Sequence, residues 1–432
     1  MSIAKKSFSI IVRDILLFGI NILVSIILAR KLGPKLLAEY FILVLITVLA
    51  DTLFRYKFEI AYVYFGNKDN TNKEIEYITT INVFTFLSTI LFFLILYFLS
   101  NILFNFWNVS GNINLIIFSI FLQVYFSFFY TNYSYFHIKT ENISVYNYML
   151  LLKATIFFIL ILFLFIFNKI TILNVFNINT LAIIISLSYG IYRLGYKIFS
   201  IKYFNCSLLK KMFRYKSNIY FISLLTQLNS LFFKSFLPKY LSKESYSFIN
   251  ISLDRIVLMN KVPDSLNVVL FPKLSISNDL NINNELIIKS IRISFLILST
   301  LFLCIIPFLN FVIIKFYGIE YINVTKVLFI LFPGYLIYTL STISNQFFMT
   351  SGKSEVLLKT LIFFNLLQIT IFFILKNNLN FIISIIFISS SYLLLGTINI
   401  TKFVLFNEIN PRKLIPNFSD LFYIFNKFKS LI

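Results

Sequence analysis

Charge is scarce in this sequence. Only 13% of its 432 residues are Asp, Glu, Lys or Arg, against ~25% in an ordinary soluble domain. With 59% hydrophobic residues and a mean hydropathy of +0.87, too little polar surface remains to cover a fold in water. A soluble enzyme and an appended catalytic module are excluded. Histidine is nearly missing: His137 is the only one, so no His-based metal cluster can form. Cysteine is limited to Cys206 and Cys304, which stand far apart and give no disulfide framework. No G-x-x-x-x-G-K-[ST] loop occurs to cradle the phosphates of ATP, and no metal-ligand spacing appears. No cofactor is expected. Nor does any long outside loop carry the carboxylates or arginines that glycosyl-transfer chemistry needs.

What is present is a succession of apolar runs. Spans are expected near 8–29, 36–54, 77–100, 113–136, 145–167, 178–199, 213–236, 246–270, 289–314, 322–348, 354–375 and 380–406, each long enough for a helix to cross hydrocarbon. Alternating ten-residue strands of a membrane barrel would not give continuous runs such as Thr155–Phe167. The expected fold is all-α and polytopic, with about twelve transmembrane helices in two six-helix lobes around a central polar cavity. The first run contains Arg13 and Asp14 and lacks a small-residue cleavage site, so it reads as a retained helix rather than a signal peptide.

The net charge of +21, from 38 Lys and Arg against 17 Asp and Glu, reads mostly as a topology signal, with a minority of the cations on polar stripes within the spans. The cations punctuate the spans instead of gathering on one basic face, so nucleic acid is not an expected partner. With the N-terminus inside, 28 of the 38 lie at cytoplasmic ends and loops, which places both termini in the cytoplasm. The densest block, Arg193–Lys216, holds seven cations. It marks a linker between an N-terminal lobe, 1–204, and a C-terminal lobe, 205–432. Weak matches six spans apart suggest that the lobes are parallel repeats.

Several spans carry polar stripes at ~100° per residue. The seventh bears Lys216, Tyr220, Ser223, Gln227, Ser230 and Lys234, and the fourth bears Gln123, Ser127, Tyr130, Ser134 and His137. The eighth aligns Asn250, Asp254, Lys261 and Asp264, with Arg255 on another face, and the first aligns Asp14, Asn21 and Ser25. Tyr40, Thr47, Asp51 and Arg55 mark the second, and Tyr335, Tyr338, Thr342 and Gln346 the tenth. Such faces must look at one another or at water, because charges and unpaired amides are costly in hydrocarbon. Candidate cavity-lining residues are therefore Asn21, Gln123, Tyr130, Lys216, Ser223, Gln227, Lys234, Arg255 and Lys261, with Asp51 and Asp254 as candidates for ion coupling. Competing structural readings stand beside these. Asp51 and Arg55 have the i, i+4 spacing of an ion pair. Arg13, Lys153, Lys216, Lys234 and Arg292 can equally snorkel to the interface. His137, at a span end, fits a solvated or capping role, Pro263 fits a helix stop, and Gly19, Pro307 and Pro333-Gly334 fit hinges.

Ala29-Arg30-Lys31-Leu32-Gly33-Pro34 followed by Tyr40 resembles the A-R-x-L-G-P…Y signature after the first helix of Wzx-type polysaccharide flippases. Phe271-Pro272-Lys273-Leu274-Ser275 is similar to the family's P-x-[IL]-S, and Tyr246-Ser247-Phe248 and Ser351-Gly352-Lys353 fit as well. These proteins form the polysaccharide branch of the multidrug/oligosaccharidyl-lipid/polysaccharide exporter (MOP) superfamily. The resemblance implies two six-helix lobes around a cationic cavity in a bacterial inner membrane. It further implies an undecaprenyl-pyrophosphate-linked oligosaccharide as substrate, flipped for O-antigen or capsule assembly. Polysaccharide polymerase and chain-length machinery are the implied partners, besides membrane lipids. Two departures stand out. Lys234 occupies a place where the family often has aspartate, and the first helix lacks the mid-helix arginines of lipid II flippases. A cation-coupled multidrug exporter of the same superfamily is the alternative, and a membrane polymerase or ligase ranks last.

Overall fold

The computed structural model of the protein describes residues 3–59, 62, 74–109, 111–139, 142–195, 201–276, 280–417 and 420. Among them there is no strand, as hydrocarbon requires: with no water available, the backbone satisfies its own N–H and C=O groups within helices. In chain order the helices are α1 (Ile3–Phe54), α2 (Glu74–Phe106), α3 (Ile113–Lys139), α4 (Ile143–Ile166), α5 (Ile172–Leu194), α6 (Cys206–Tyr240), α7 (Lys243–Ile256), α8 (Lys261–Ile276), α9 (Leu280–Phe316), α10 (Asn323–Thr350), α11 (Ser354–Leu375) and α12 (Phe381–Phe406). Nine helical stretches among the described residues are long and apolar enough to cross a membrane. The more polar α6, α7 and α8 are not among them.

Two elements depart from one helix per apolar run. α1 covers the first two runs and is two arms joined at Gly33, whose backbone is non-helical (φ 66°, ψ 172°). Glycine reaches this left-handed φ at little steric cost, and Pro34 restarts the second arm where a missing N–H costs no hydrogen bond. The eighth run is instead split. α7 ends at Ile256, a 3-10 turn covers Val257–Asn260, and α8 begins at Lys261. Pro263 therefore lies in the first turn of α8, a position that suits its fixed φ, and does not stop the helix as expected.

The chain divides into two compact units, Met1–Lys239 and Tyr240–Ile432. The first is organised on α3, which packs against α5 and α2, with α4 bridging α1 and α5. Its core joins Tyr77, Ile81, Tyr133, Phe136, Met149 and Leu187 to Leu208 and Met212 of α6. α6 is held to this unit at its middle and near its C-terminal end as well. Tyr220 stacks on Tyr56 at 4.3 Å, and the indole of Trp107 donates to the Ser235 carbonyl at 2.8 Å.

The second unit is organised on α10, which lies against α12, α9, α7 and α8. Glycine permits its closest crossing. A Cβ on Gly334 would lie 2.7 Å from the carbonyl carbon of Ser389, and one on Gly396 would lie 2.7 Å from the backbone of Ile337 and Tyr338. The Ser389 hydroxyl donates to Ile330 O at 2.7 Å across this contact. Gly334 is therefore a packing residue rather than a hinge.

Candidate functional site

In the first unit, Arg13 and Lys153, for which snorkelling is one of two readings, contact groups of neighbouring helices. Arg13, 7% exposed, donates through Nη1 to Asn147 Oδ1 of α4 at 2.7 Å and through Nη2 to Asp14 at 2.8 Å. Its guanidinium lies over the Tyr146 ring, 5.1 Å from the centroid. Lys153, two turns further along α4, is half-buried and lies over the Tyr130 ring at 5.2 Å. Two cations on neighbouring helices thus sit among tyrosines and an amide. That set of groups suits an anion with hydroxyls attached, since charge-assisted bonds hold the former and amide and phenol groups the latter.

Tyr130 and Gln123 share this region of α3 but are themselves buried. The Tyr130 hydroxyl and Gln123 Oε1 have no hydrogen-bond partner among the described residues. His137 completes the α3 stripe and is also fully buried, its Nε2 3.0 Å from Gly190 O. The expected solvated or capping role is corrected, because α5 closes over this end of α3. The stripe as a whole belongs to the interior of the unit.

Charge also concentrates where the second arm of α1 ends. Arg55 donates to Asp51 and to Glu59, so the expected i, i+4 pair is one half of a carboxylate–guanidinium–carboxylate bridge. Burial opposes the Arg55 charge, but Glu59 and Asp51 outweigh it and raise its pKa. Lys57, between them, has its pKa lowered by burial and by Arg55. Glu59 is 1% exposed, and its Oε2 has no hydrogen-bond partner among the described residues. Asp51 is the outer carboxylate of the bridge, its side chain one-third exposed.

The remaining expected residues are dispersed. Asn21 is exposed on α1. On α6, Gln227 and Lys234 are half-buried, whereas the side chains of Lys216 and Ser223 lie outside the described set. In the second unit, the split between α7 and α8 gathers charge. Asp254 and Lys261 are exposed on either side of it, and Arg255 is half-buried. Arg255 Nε donates to the Tyr317 hydroxyl at 3.1 Å. The turn itself is held by Asn260, whose Nδ2 donates to the Tyr335 hydroxyl at 2.9 Å while its Oδ1 accepts from Thr339 at 3.0 Å. A broken helix lined by charge is a usual place for substrate or ion sites in transporters. Arg292 does not snorkel: it pairs with buried Asp420 at 3.0 Å.

Sequence reasoning passed over Glu59, although it stands four residues beyond Arg55. It had no signal for Asn147 or Asn260, whose partners lie on other helices.

No family model matches the chain, and no curated protein matches it. Solved structures do. An inward-facing multidrug resistance MATE family transporter of the MOP superfamily superposes with a TM-score of 0.76 at 14% identity, covering 90% of this chain and 94% of that one. The lipid II flippase MurJ, in an inward closed conformation, gives 0.74 at 15% identity over 95% of this chain and 89% of its own. A MOP superfamily transporter from Pyrococcus furiosus, described as having a binding pocket of reversed polarity, gives 0.63 at 14% identity over 93% and 96%.

Proposed function

We propose that this MOP-fold membrane protein is a flippase for lipid-linked oligosaccharides. It would carry undecaprenyl-pyrophosphate-linked repeat units across a bacterial inner membrane by alternating access, for O-antigen or capsule assembly, and would perform no bond chemistry. The buried Arg13, with Lys153 nearby among Tyr130, Tyr146 and Asn147, carries this reading. A guanidinium inside an apolar bundle costs several kcal/mol unless it is paired, and among the described residues its ionised partner is Asp14, with 46% of its own side chain exposed. An anionic, hydroxyl-rich substrate answers that demand.

On this reading twelve spans cross the membrane, α6 and the split α7–α8 included, with both termini in the cytoplasm. Asn21, Lys216, Ser223, Gln227 and Lys234 in the first unit, and Arg255 and Lys261 in the second, handle the substrate in transit, whereas the buried Gln123 and Tyr130 back this region from within α3. Asp51 and Asp254 are the sites of ion coupling. A polymerase and chain-length regulators act downstream.

The alternative, a cation-coupled multidrug exporter, draws on the MATE likeness. Cationic drugs call for acidic pockets, and the cations outnumber carboxylates around Arg13 and Lys153. Deletion in the native host separates the two. A flippase defect leaves lipid-linked repeat units accumulating in the inner leaflet, with surface polysaccharide lost. Unchanged polysaccharide together with new drug sensitivity would establish the exporter.

A further inference from the structure

The connector between α5 and α6 is built as a surface. Asn205 is its knuckle: its Oδ1 accepts from the backbone N–H groups of Ser207 at 3.0 Å and Leu208 at 3.3 Å, which caps α6. Its own N–H donates to Thr80 Oγ1 at 3.1 Å and its Nδ2 to Glu76 Oε2 at 3.1 Å. Thr80 and Glu76 belong to the first two turns of α2, so the knuckle is pinned at the level where an apolar span begins. Beyond it α6 is two-sided. Leu208 and Met212 are buried in the core of the unit, while Lys210 and Lys211 are exposed on the opposite side. Before it, Lys202 is exposed, and Tyr203 and Phe204 are 48% and 40% exposed. The two acids at this end of α2 are already engaged, Glu76 by Asn205 and Glu74 by the Tyr62 hydroxyl at 2.7 Å.

Exposed aromatic rings beside three lysines, fixed at a span end, match the chemistry of an anionic bilayer surface. Rings of this kind rest at headgroup depth, and lysines within a Debye length are drawn to acidic lipid. We propose that Lys202, Tyr203, Phe204, Lys210 and Lys211 form a docking shelf for anionic phospholipid headgroups, in the cytoplasmic leaflet that the Lys and Arg bias favours. The shelf fixes the depth of the connector in the bilayer and selects the lipids around α2 and α6. It is separate from the groups assigned to substrate and stands whether or not the substrate is lipid-linked.

The test uses the full-length protein, with retention of phosphatidylglycerol against phosphatidylcholine read by native mass spectrometry from mixed micelles. The wild type should retain phosphatidylglycerol preferentially. K202Q/K210Q/K211Q should lose that preference, by about fivefold for each lysine neutralised, while K359Q/R412Q/K413Q, which neutralises exposed cations of the second unit, should keep it. The arginine version, K202R/K210R/K211R, should keep it too, so a folding defect in the glutamine variant would not decide the matter. Y203A/F204A should weaken retention of both lipids. Equal preference for phosphatidylglycerol in wild type and K202Q/K210Q/K211Q, or loss of that preference in a folded K202R/K210R/K211R, would overturn the shelf. Displacement of phosphatidylglycerol from the wild type by millimolar inorganic pyrophosphate would overturn it as well, by showing that the site reads free phosphate.

Discussion

Replacing Gly334 by alanine tests the packing of the second unit with few free parameters. The added Cβ would lie 2.7 Å from both the carbonyl carbon and the hydroxyl of Ser389. Carbon atoms in contact prefer roughly 3.5–4 Å, so α10 and α12 must part by roughly 1 Å at this crossing. The obstacle is backbone, which cannot rotate aside as a side chain can. A gap of that size forfeits a quarter to a half of the local dispersion energy, and overpacking of this kind costs about 1–3 kcal/mol. It also strains the bond from Ser389 to Ile330 O, worth roughly 1 kcal/mol. The gain in helix propensity from Gly to Ala returns about 1 kcal/mol. A net loss of about 1–3 kcal/mol is expected, read as a lower midpoint of thermal unfolding in detergent. Gly396→Ala should behave alike, since its Cβ meets the backbone of Ile337 and Tyr338. Gly19→Ala is the control: nothing lies within 4 Å of its Cβ, so it should be neutral or stabilising by up to about 1 kcal/mol. If Gly334→Ala and Gly19→Ala shifted the midpoint equally, the close crossing of α10 and α12 would be refuted.

Three further outcomes follow from single contacts. Arg55→Ala strands the buried Glu59 carboxylate and should cost about 3–5 kcal/mol of stability, and adding Glu59→Gln should restore most of it, as denaturation of the double variant will show. Trp107→Phe keeps an aromatic ring but removes the donor to Ser235 O. It should cost about 1 kcal/mol and speed hydrogen exchange near the end of α6, whereas unchanged exchange would mean that the indole does not hold α6 there. Asn260→Leu removes the partner of both Tyr335 and Thr339. It should reduce transport more than thermal stability in parallel assays, and the reverse order would make the turn at Val257–Asn260 a structural joint only.

Much of the helical layout was legible in the sequence because hydrocarbon sets both the length and the content of a span. The corner at Gly33-Pro34 was legible as a boundary for a local reason, a positive φ followed by a residue without an N–H. The split between α7 and α8 was not. No glycine or proline lies within Val257–Asn260, and Asn260 is held there by α10, which no local pattern can announce. Periodicity told which α3 residues share a face but not what the face meets. Gln123, Tyr130 and His137 are enclosed within their own unit, where a polar stripe alone suggested water. Arg13 shows the same limit from the other direction. Its position 13 residues into the chain suggested the interface, and only Asn147, 134 positions away, draws it inward. Charge pairs four residues apart were readable, and the Asp51–Arg55 pair was read. Its extension to Glu59 lay one helical turn further on.

The central claim concerns cargo, and reconstitution reaches it most directly. Purified protein is placed in liposomes with a fluorescent polyprenyl-pyrophosphate oligosaccharide, and a membrane-impermeant quencher reports its transfer between leaflets. The account predicts protein-dependent transfer in the wild type and at least a tenfold slower rate for Arg13→Ala and Lys153→Ala, in line with the loss of one charge-assisted contact worth roughly 1.5–3 kcal/mol. No transfer of the labelled lipid, alongside ion-driven efflux of cationic dyes by the same proteoliposomes, would contradict it.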